Sequence, residues 1–136
     1  MPDVNAALRG EVRARAKRQC EYCLVLEDIR LLKHEIDHII PIKHGGETTA
    51  GNLALCCTIC NKYKGTDLAS IDPESGEMQR LFHPRHDRWR EHFELRGAEI
   101  VARTAIGRVT ARLLQLNRTE RLREREAMIQ ARLLSL

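Results

Sequence analysis

The sequence predicts a small α+β fold, with a helix at its start and a mainly helical last third. Three observations carry this prediction. Cys20-x2-Cys23 and Cys57-x2-Cys60 are two close cysteine pairs bracketing the middle of the first half. Between them, residues 33–42 (KHEIDHIIPI) are rich in isoleucine and closed by Pro41, and residues 52–56 (NLALC) suggest a second short strand. Outside them, apolar residues recur at helical spacing over residues 4–18 and again after Thr104 and Asn117.

Each element has its own signal. In residues 4–18, Leu8, Val12 and Ala16 stand four apart with arginine on the other faces, although Gly10 weakens the helix. Cys20 to Cys23 reads as a tight knuckle, and His44-Gly45-Gly46 as a turn. Cys57 to Lys64 reads as a second knuckle running into a short helix that stops at Gly65. Residues 71–76 are a turn-rich connector. Residues 88–93 suit either a helical turn or a strand, with Trp89 and Phe93 pinning the segment to the core, and Gly97 separates them from a strand at Glu99–Arg103. Thr104 is placed to cap a helix bearing Ile106, Val109, Leu113 and Leu114. Asn117 is placed to cap a last helix over Arg118–Leu134, with Leu122, Met128 and Leu133 buried and its arginines and glutamates solvated. The expected organisation is a core over residues 1–70 and an extension over 71–136 packing on it as one domain.

Composition narrows the class. The 136 residues are 43% hydrophobic and 31% charged, as in a soluble globular chain, and no apolar run is long enough to span a membrane. Met1-Pro2-Asp3 opens no signal peptide, so the expected location is the cytoplasm. Aromatic residues are only 4%, leaving little apolar area to bury, a deficit that a metal cross-link would offset. The net charge of +4 permits nucleic-acid binding without requiring it. Its distribution is uneven: residues 65–78 carry four acids and no lysine or arginine, whereas residues 79–136 carry thirteen arginines against seven acids.

Two Cys-x2-Cys pairs offer four soft ligands, and each turn presents two sulfurs to one tetrahedral Zn²⁺. Disulfides or a redox dithiol are the alternative, which a reducing cytosol disfavours. Cys56 is the fifth cysteine; a strand position facing the core suits it better than ligation. Four thiolates around Zn²⁺ carry a net charge of about −2, which makes the overall charge a weak indicator.

Between the knuckles stand Glu35-Ile-Asp37-His38-Ile-Ile-Pro41, Gly45-Gly46 and Asn52-Leu53, followed by Cys60-Asn61-x2-Lys64. This order resembles the HNH endonucleases of the ββα-metal (His-Me finger) superfamily, in the branch with a four-cysteine zinc scaffold. The resemblance is dense over residues 20–65. It implies a ββα-metal core that hydrolyses DNA phosphodiester bonds, with His38 as the general base. A neutral imidazole, with a pKa of about 6.5, can take a proton from water at cellular pH. Asp37, on the opposite side of the strand from His38, and Asn61 would hold a catalytic Mg²⁺ or Mn²⁺. The family's third letter is commonly His; here it is Asn61, and an all-oxygen pair favours a hard cation. Asn52 matches the middle letter and would orient the loop after the histidine.

Lys62 and Lys64, on the helix carrying Asn61, are expected phosphate contacts, and Arg85 and Arg88 are expected to extend that surface. Arg9, Arg13, Arg15, Lys17 and Arg18 form either a second contact strip or a solvated helix face. Glu35 reads as a strand residue, His34 and His44 as surface residues, and His83-x2-His86-Asp87 as ordinary polar residues. The expected partner is double-stranded DNA read with low sequence specificity, because so small a chain leaves little surface for base edges. The alternative is a zinc-ribbon nucleic-acid-binding module without catalysis; the joint presence of Asp37, His38 and Asn61 argues against it.

Overall fold

The computed structural model describes residues 4–27 and 33–136. Helix α1 (Ala6–Arg15) begins where Asn5 leaves the helical conformation and its side-chain oxygen accepts from the Leu8 amide at 2.8 Å. Its apolar stripe packs as the periodicity predicts. Val12 is fully buried against Leu53 and Leu55, with Leu8 and Ala16 at the rim of that cluster.

Strand β1 (Glu35–His38) pairs antiparallel with β2 (Leu53–Cys56), Asp37 opposite Ala54 and His38 opposite Leu53. All four residues of β2 are buried, because α1 covers one face and the cysteine cluster the other. Helix α2 (Thr58–Lys64) follows at once, capped by Cys57 and closed by Gly65, whose φ of 51° suits glycine. The order β1–β2–α2 is thus a ββα unit beside the cysteines.

The connector at 71–76 is the turn of a hairpin, β3 (Ala69–Ile71) with β4 (Met78–Arg80). Strands of three residues are too short for an alternation signal, and neither was expected. The turn is organised by Asp72, whose carboxylate accepts from Glu74 N, Ser75 N and Ser75 Oγ and is gripped by both Nε and Nη2 of Arg108 at 2.9 Å. Both readings of residues 88–93 are realised in succession, since α3 (Trp89–His92) runs directly into β5 (Phe93–Arg96). Strand β5 pairs with β6 (Glu99–Ala102), and Thr104 caps α4 (Ala105–Leu113) by accepting from the Gly107 amide.

The last helix departs from expectation. Helix α5 spans Thr119–Gln130 and has no side-chain cap. Asn117 instead turns back to β6, binding both N and O of Ile100 at 2.8 Å. Met128 is buried as expected, but Leu133 is half exposed and two arginines, Arg121 and Arg125, are fully buried. The expected solvation of these arginines is therefore corrected, because α5 turns them toward the cysteines. His34 is likewise buried, its Nε2 2.7 Å from Val25 O.

The main core joins both halves of the chain: Tyr22, Val25, Phe82, Phe93, Ile100, Leu114 and Leu116 pack with the five cysteines. Phe82 meets Tyr22 and Phe93 edge to face, at centroid separations of 6.3 and 5.5 Å. Among the described residues, no helix is long and apolar enough to cross a membrane.

Candidate metal centre and active site

Four sulfurs converge where the two knuckles meet. The Sγ atoms of Cys20, Cys23, Cys57 and Cys60 all lie within 4.8 Å of one another, and Cys23 and Cys57 are 3.6 Å apart. That separation is too long for a disulfide of about 2.05 Å. It fits two ligands of one Zn²⁺, since four bonds of about 2.3 Å in a tetrahedron set sulfurs roughly 3.8 Å apart. The backbone is arranged for thiolates. The Cys23 amide faces Cys20 Sγ at 3.5 Å, and the Cys60 amide donates to Cys57 Sγ at 3.3 Å. Cys56 stays outside this set: burial pushes its thiol well above the ordinary value, and its Sγ–H faces Cys57 O. These four cysteines are positioned to bind a metal ion.

The first knuckle is also clamped from outside. Glu21, between Cys20 and Cys23, accepts from the Leu55 amide of β2 at 2.8 Å and pairs with Arg85. Trp89 Nε1 donates to Tyr22 O at 3.1 Å.

Beside this centre, β1 and α2 face each other in a ladder of polar pairs. Glu35 and Asp37 lie on one face of the strand, two residues apart; Asn61 and Lys64 lie one turn apart on the helix. Asn61 Nδ2 donates to Glu35, and Lys64 Nζ sits 3.1 Å from Asp37 Oδ2 and 3.3 Å from Oδ1. Lys64 also donates to His38 O at 3.4 Å and Ile39 O at 3.2 Å, and the Tyr22 hydroxyl donates to Asp37 Oδ2 at 3.1 Å. Asp37 is only 6% exposed, and burial pushes its carboxyl up from the ordinary value, against the pull of Lys64, Tyr22 and His38. Burial and the neighbouring Asp37 charge raise the Tyr22 phenol, which stays a donor.

His38 is half buried on the other side of β1, its Nε2 2.9 Å from Thr48 Oγ1. The loop carrying Thr48 is held by Asn52, which accepts from Ile40 N and donates to Ile40 O and Glu47 O, each at 2.9 Å. Gly46 makes that closure possible, since a Cβ there would sit 1.7 Å from Ile40 O. His38, Asp37 and Asn61 together line a cleft of about 360 Å³ with Pro41, Ile42 and Lys43. A wider hollow of about 510 Å³ between the end of α1 and residues 84–91 contains none of His38, Asp37, Asn61 or Asn52, although Arg88 lines it.

The expected cationic contacts divide. Lys62 and Arg88 are exposed. Lys64, expected as a surface phosphate contact, is 1% exposed because its ammonium is spent on Asp37 and two carbonyls. Arg85 is drawn inward by Glu21 in the same way. On α1, Arg13 pairs with Glu27 and Arg15 donates to Ala50 O and Leu53 O, so these two tie the helix to the core. Sequence reasoning missed four residues beside these centres: Thr48, Tyr22 and the two buried arginines of α5, Arg121 and Arg125. Thr48 lies in a loop without periodicity, and only the return of the chain brings it to His38.

With this geometry in place, residues 20–67 match the family model described as HNH endonuclease. No curated protein and no solved structure matches the chain.

Proposed function

We propose, on the premise that residues 20–67 form an HNH endonuclease domain, that this protein hydrolyses phosphodiester bonds of double-stranded DNA with low sequence specificity. One observation carries the reading. His38 lines an open cleft with Nε2 held at 2.9 Å from Thr48 Oγ1. With the proton on Nε2 and donated to Thr48, the Nδ1 lone pair is left to accept a proton from water. Asn52 fixes the loop that brings Thr48 to the imidazole, which makes it an orienting residue.

Asp37 and Asn61 suit a hard divalent cation. Both line the cleft, and a carboxylate has room for another partner beside Tyr22 and Lys64. Mg²⁺ or Mn²⁺ bound there would supply Lewis-acid stabilisation of the phosphate and of the departing 3′ oxygen. Zn²⁺ at the four cysteines has a structural role, and a reducing cytoplasm suits it. Lys62 and Arg88, exposed, would neutralise backbone phosphates. Residues 71–136 serve as an extension of the same domain, since Phe82, Phe93 and Leu114 share the core with the cysteines.

A second reading, a zinc module that binds nucleic acid without cutting it, draws on the engagement of both Asp37 oxygens by Lys64. Incubation of the purified protein with supercoiled plasmid and Mg²⁺ or Mn²⁺ separates the two. Nicking that EDTA stops and His38→Ala abolishes, with the melting temperature kept, supports the nuclease. Cleavage that survives in His38→Ala overturns the role of His38; plasmid binding without cleavage in either metal favours the second reading.

A further inference from the structure

Helix α5 lies far outside the matched segment, yet it sends two side chains to the cysteine centre. Arg121 and Arg125 are one turn apart on the helix and both are 0% exposed. Arg121 Nη1 is 3.1 Å from Cys60 Sγ, while its Nε and Nη2 are buried with no hydrogen-bond partner among the described residues. Arg125 donates from Nη1 to the carbonyl of Cys23 at 3.2 Å, from Nε to Ala98 O at 2.7 Å and from Nη2 to Asn117 Oδ1 at 3.0 Å.

A buried guanidinium is costly unless negative charge faces it, and hydrophobic side chains of similar volume would fill the same space without that cost. The hydrogen-bond partners of these arginines among the described residues carry no carboxylate: Arg121 faces sulfur, and the partners of Arg125 are carbonyl and amide oxygens. A loaded tetrathiolate centre does provide negative charge, at about −2. Two buried guanidinium groups match that charge.

We propose that Arg121 and Arg125 are positioning residues of the metal centre, so that docking of α5 and retention of the metal are one coupled equilibrium. Arg121 compensates the thiolate charge through Cys60. Arg125 braces the backbone of the first knuckle at Cys23 and, through Asn117, ties it to Ile100 of β6. The centre is then completed by residues from both ends of the chain. This holds whether or not the site cuts DNA, and its test reads metal, not cleavage.

The experiment uses the full chain loaded with zinc, titrated with a chromophoric chelator, with amide hydrogen exchange followed across α5. Arg121→Met is expected to raise the zinc dissociation constant by about 10- to 100-fold and to expose the amides of α5. Val12→Ala, in the separate cluster under α1, is the comparison for general loss of stability and is expected to leave zinc affinity within about twofold of the parent at matched folded fraction. Arg121→Met holding zinc like the parent, or weakening it no more than Val12→Ala, overturns the proposal. If Arg121→Met does not fold with zinc in excess, the parent decides. Stepwise removal of zinc then raises exchange in α5 in step with the metal lost, and protection of α5 that outlasts the metal overturns the coupling.

Discussion

The ammonium of Lys64 lies 3.1 Å from a carboxylate oxygen of Asp37, and both side chains are almost fully removed from solvent. The pair joins the last turn of α2 to the strand that carries His38, and it holds the carbonyls of His38 and Ile39 as well. It therefore couples the shape of the candidate active site to the helix that carries Cys60 and is capped by Cys57.

Breaking this pair on one side leaves a buried charge without its partner. Lys64→Met and Asp37→Asn should each destabilise the domain by about 3 kcal/mol, and the double variant by clearly less than the sum. Denaturant unfolding at saturating zinc measures all three. Strict additivity would show that the two groups do not interact.

Thr48 tests how His38 is oriented. Thr48→Val keeps the shape and removes the hydroxyl facing Nε2, so plasmid nicking should fall about tenfold with little change in melting temperature. A rate equal to the parent's would remove Thr48 from the account of the site.

Gly46 tests the closure of the loop. A Cβ at this position collides with Ile40 O, and the Asn52 amide lies 2.8 Å away, so neither backbone nor clamp can yield cheaply. Gly46→Ala should destabilise by about 2 kcal/mol or more and should lower nicking along with it. Asn52→Ala should have the same two effects, because it opens the same closure.

The cysteines should divide sharply. Cys57→Ser or Cys23→Ser should lose zinc and unfold, whereas Cys56→Ala should keep stoichiometric zinc and lose only about 1 kcal/mol from a small cavity. Zinc content by elemental analysis beside thermal melting distinguishes the two classes.

Asp87 gives a stability effect with a defined pH range. Its carboxyl is lowered to about 2 by Arg80, which grips both oxygens, while partial burial opposes the shift and the His83 amide adds to it. A lowered folded value means stability that is complete above the unfolded value of about 3.8 and is lost as pH falls toward 2. Asp87→Asn should therefore cost about 1 kcal/mol, discounted because Arg80 is half exposed, and the cost should be flat from pH 8 to pH 5. A cost that varied across that range would point to another group.

Much of the architecture was legible in local chemistry. The spacing of Leu8, Val12 and Ala16 identifies the buried face of α1, and the two Cys-x2-Cys turns identify the metal ligands and exclude Cys56. Thr104 and Gly65 mark helix ends because caps and stops act through neighbouring backbone. These signals depend on residues within a few positions of one another.

What the sequence alone could not decide was the fate of its charges. Lys64, Arg85, Arg121 and Arg125 look like solvated cations in any local window, and all four are drawn inward. A charge is buried only where a partner awaits it, and the partners here stand 27 residues away for Lys64, 61 for Arg121 and 102 for the Cys23 carbonyl bound by Arg125. Asn117 shows the same limit for a neutral group, since it is placed to cap α5 but bonds Ile100 instead. The sequence by itself determined the ligands, the short strands around His38 and the faces of α1 and α4. Only the tertiary structure decided which cations are buried beside opposite charge or sulfur and which stay exposed, because that choice depends on long-range placement of their partners.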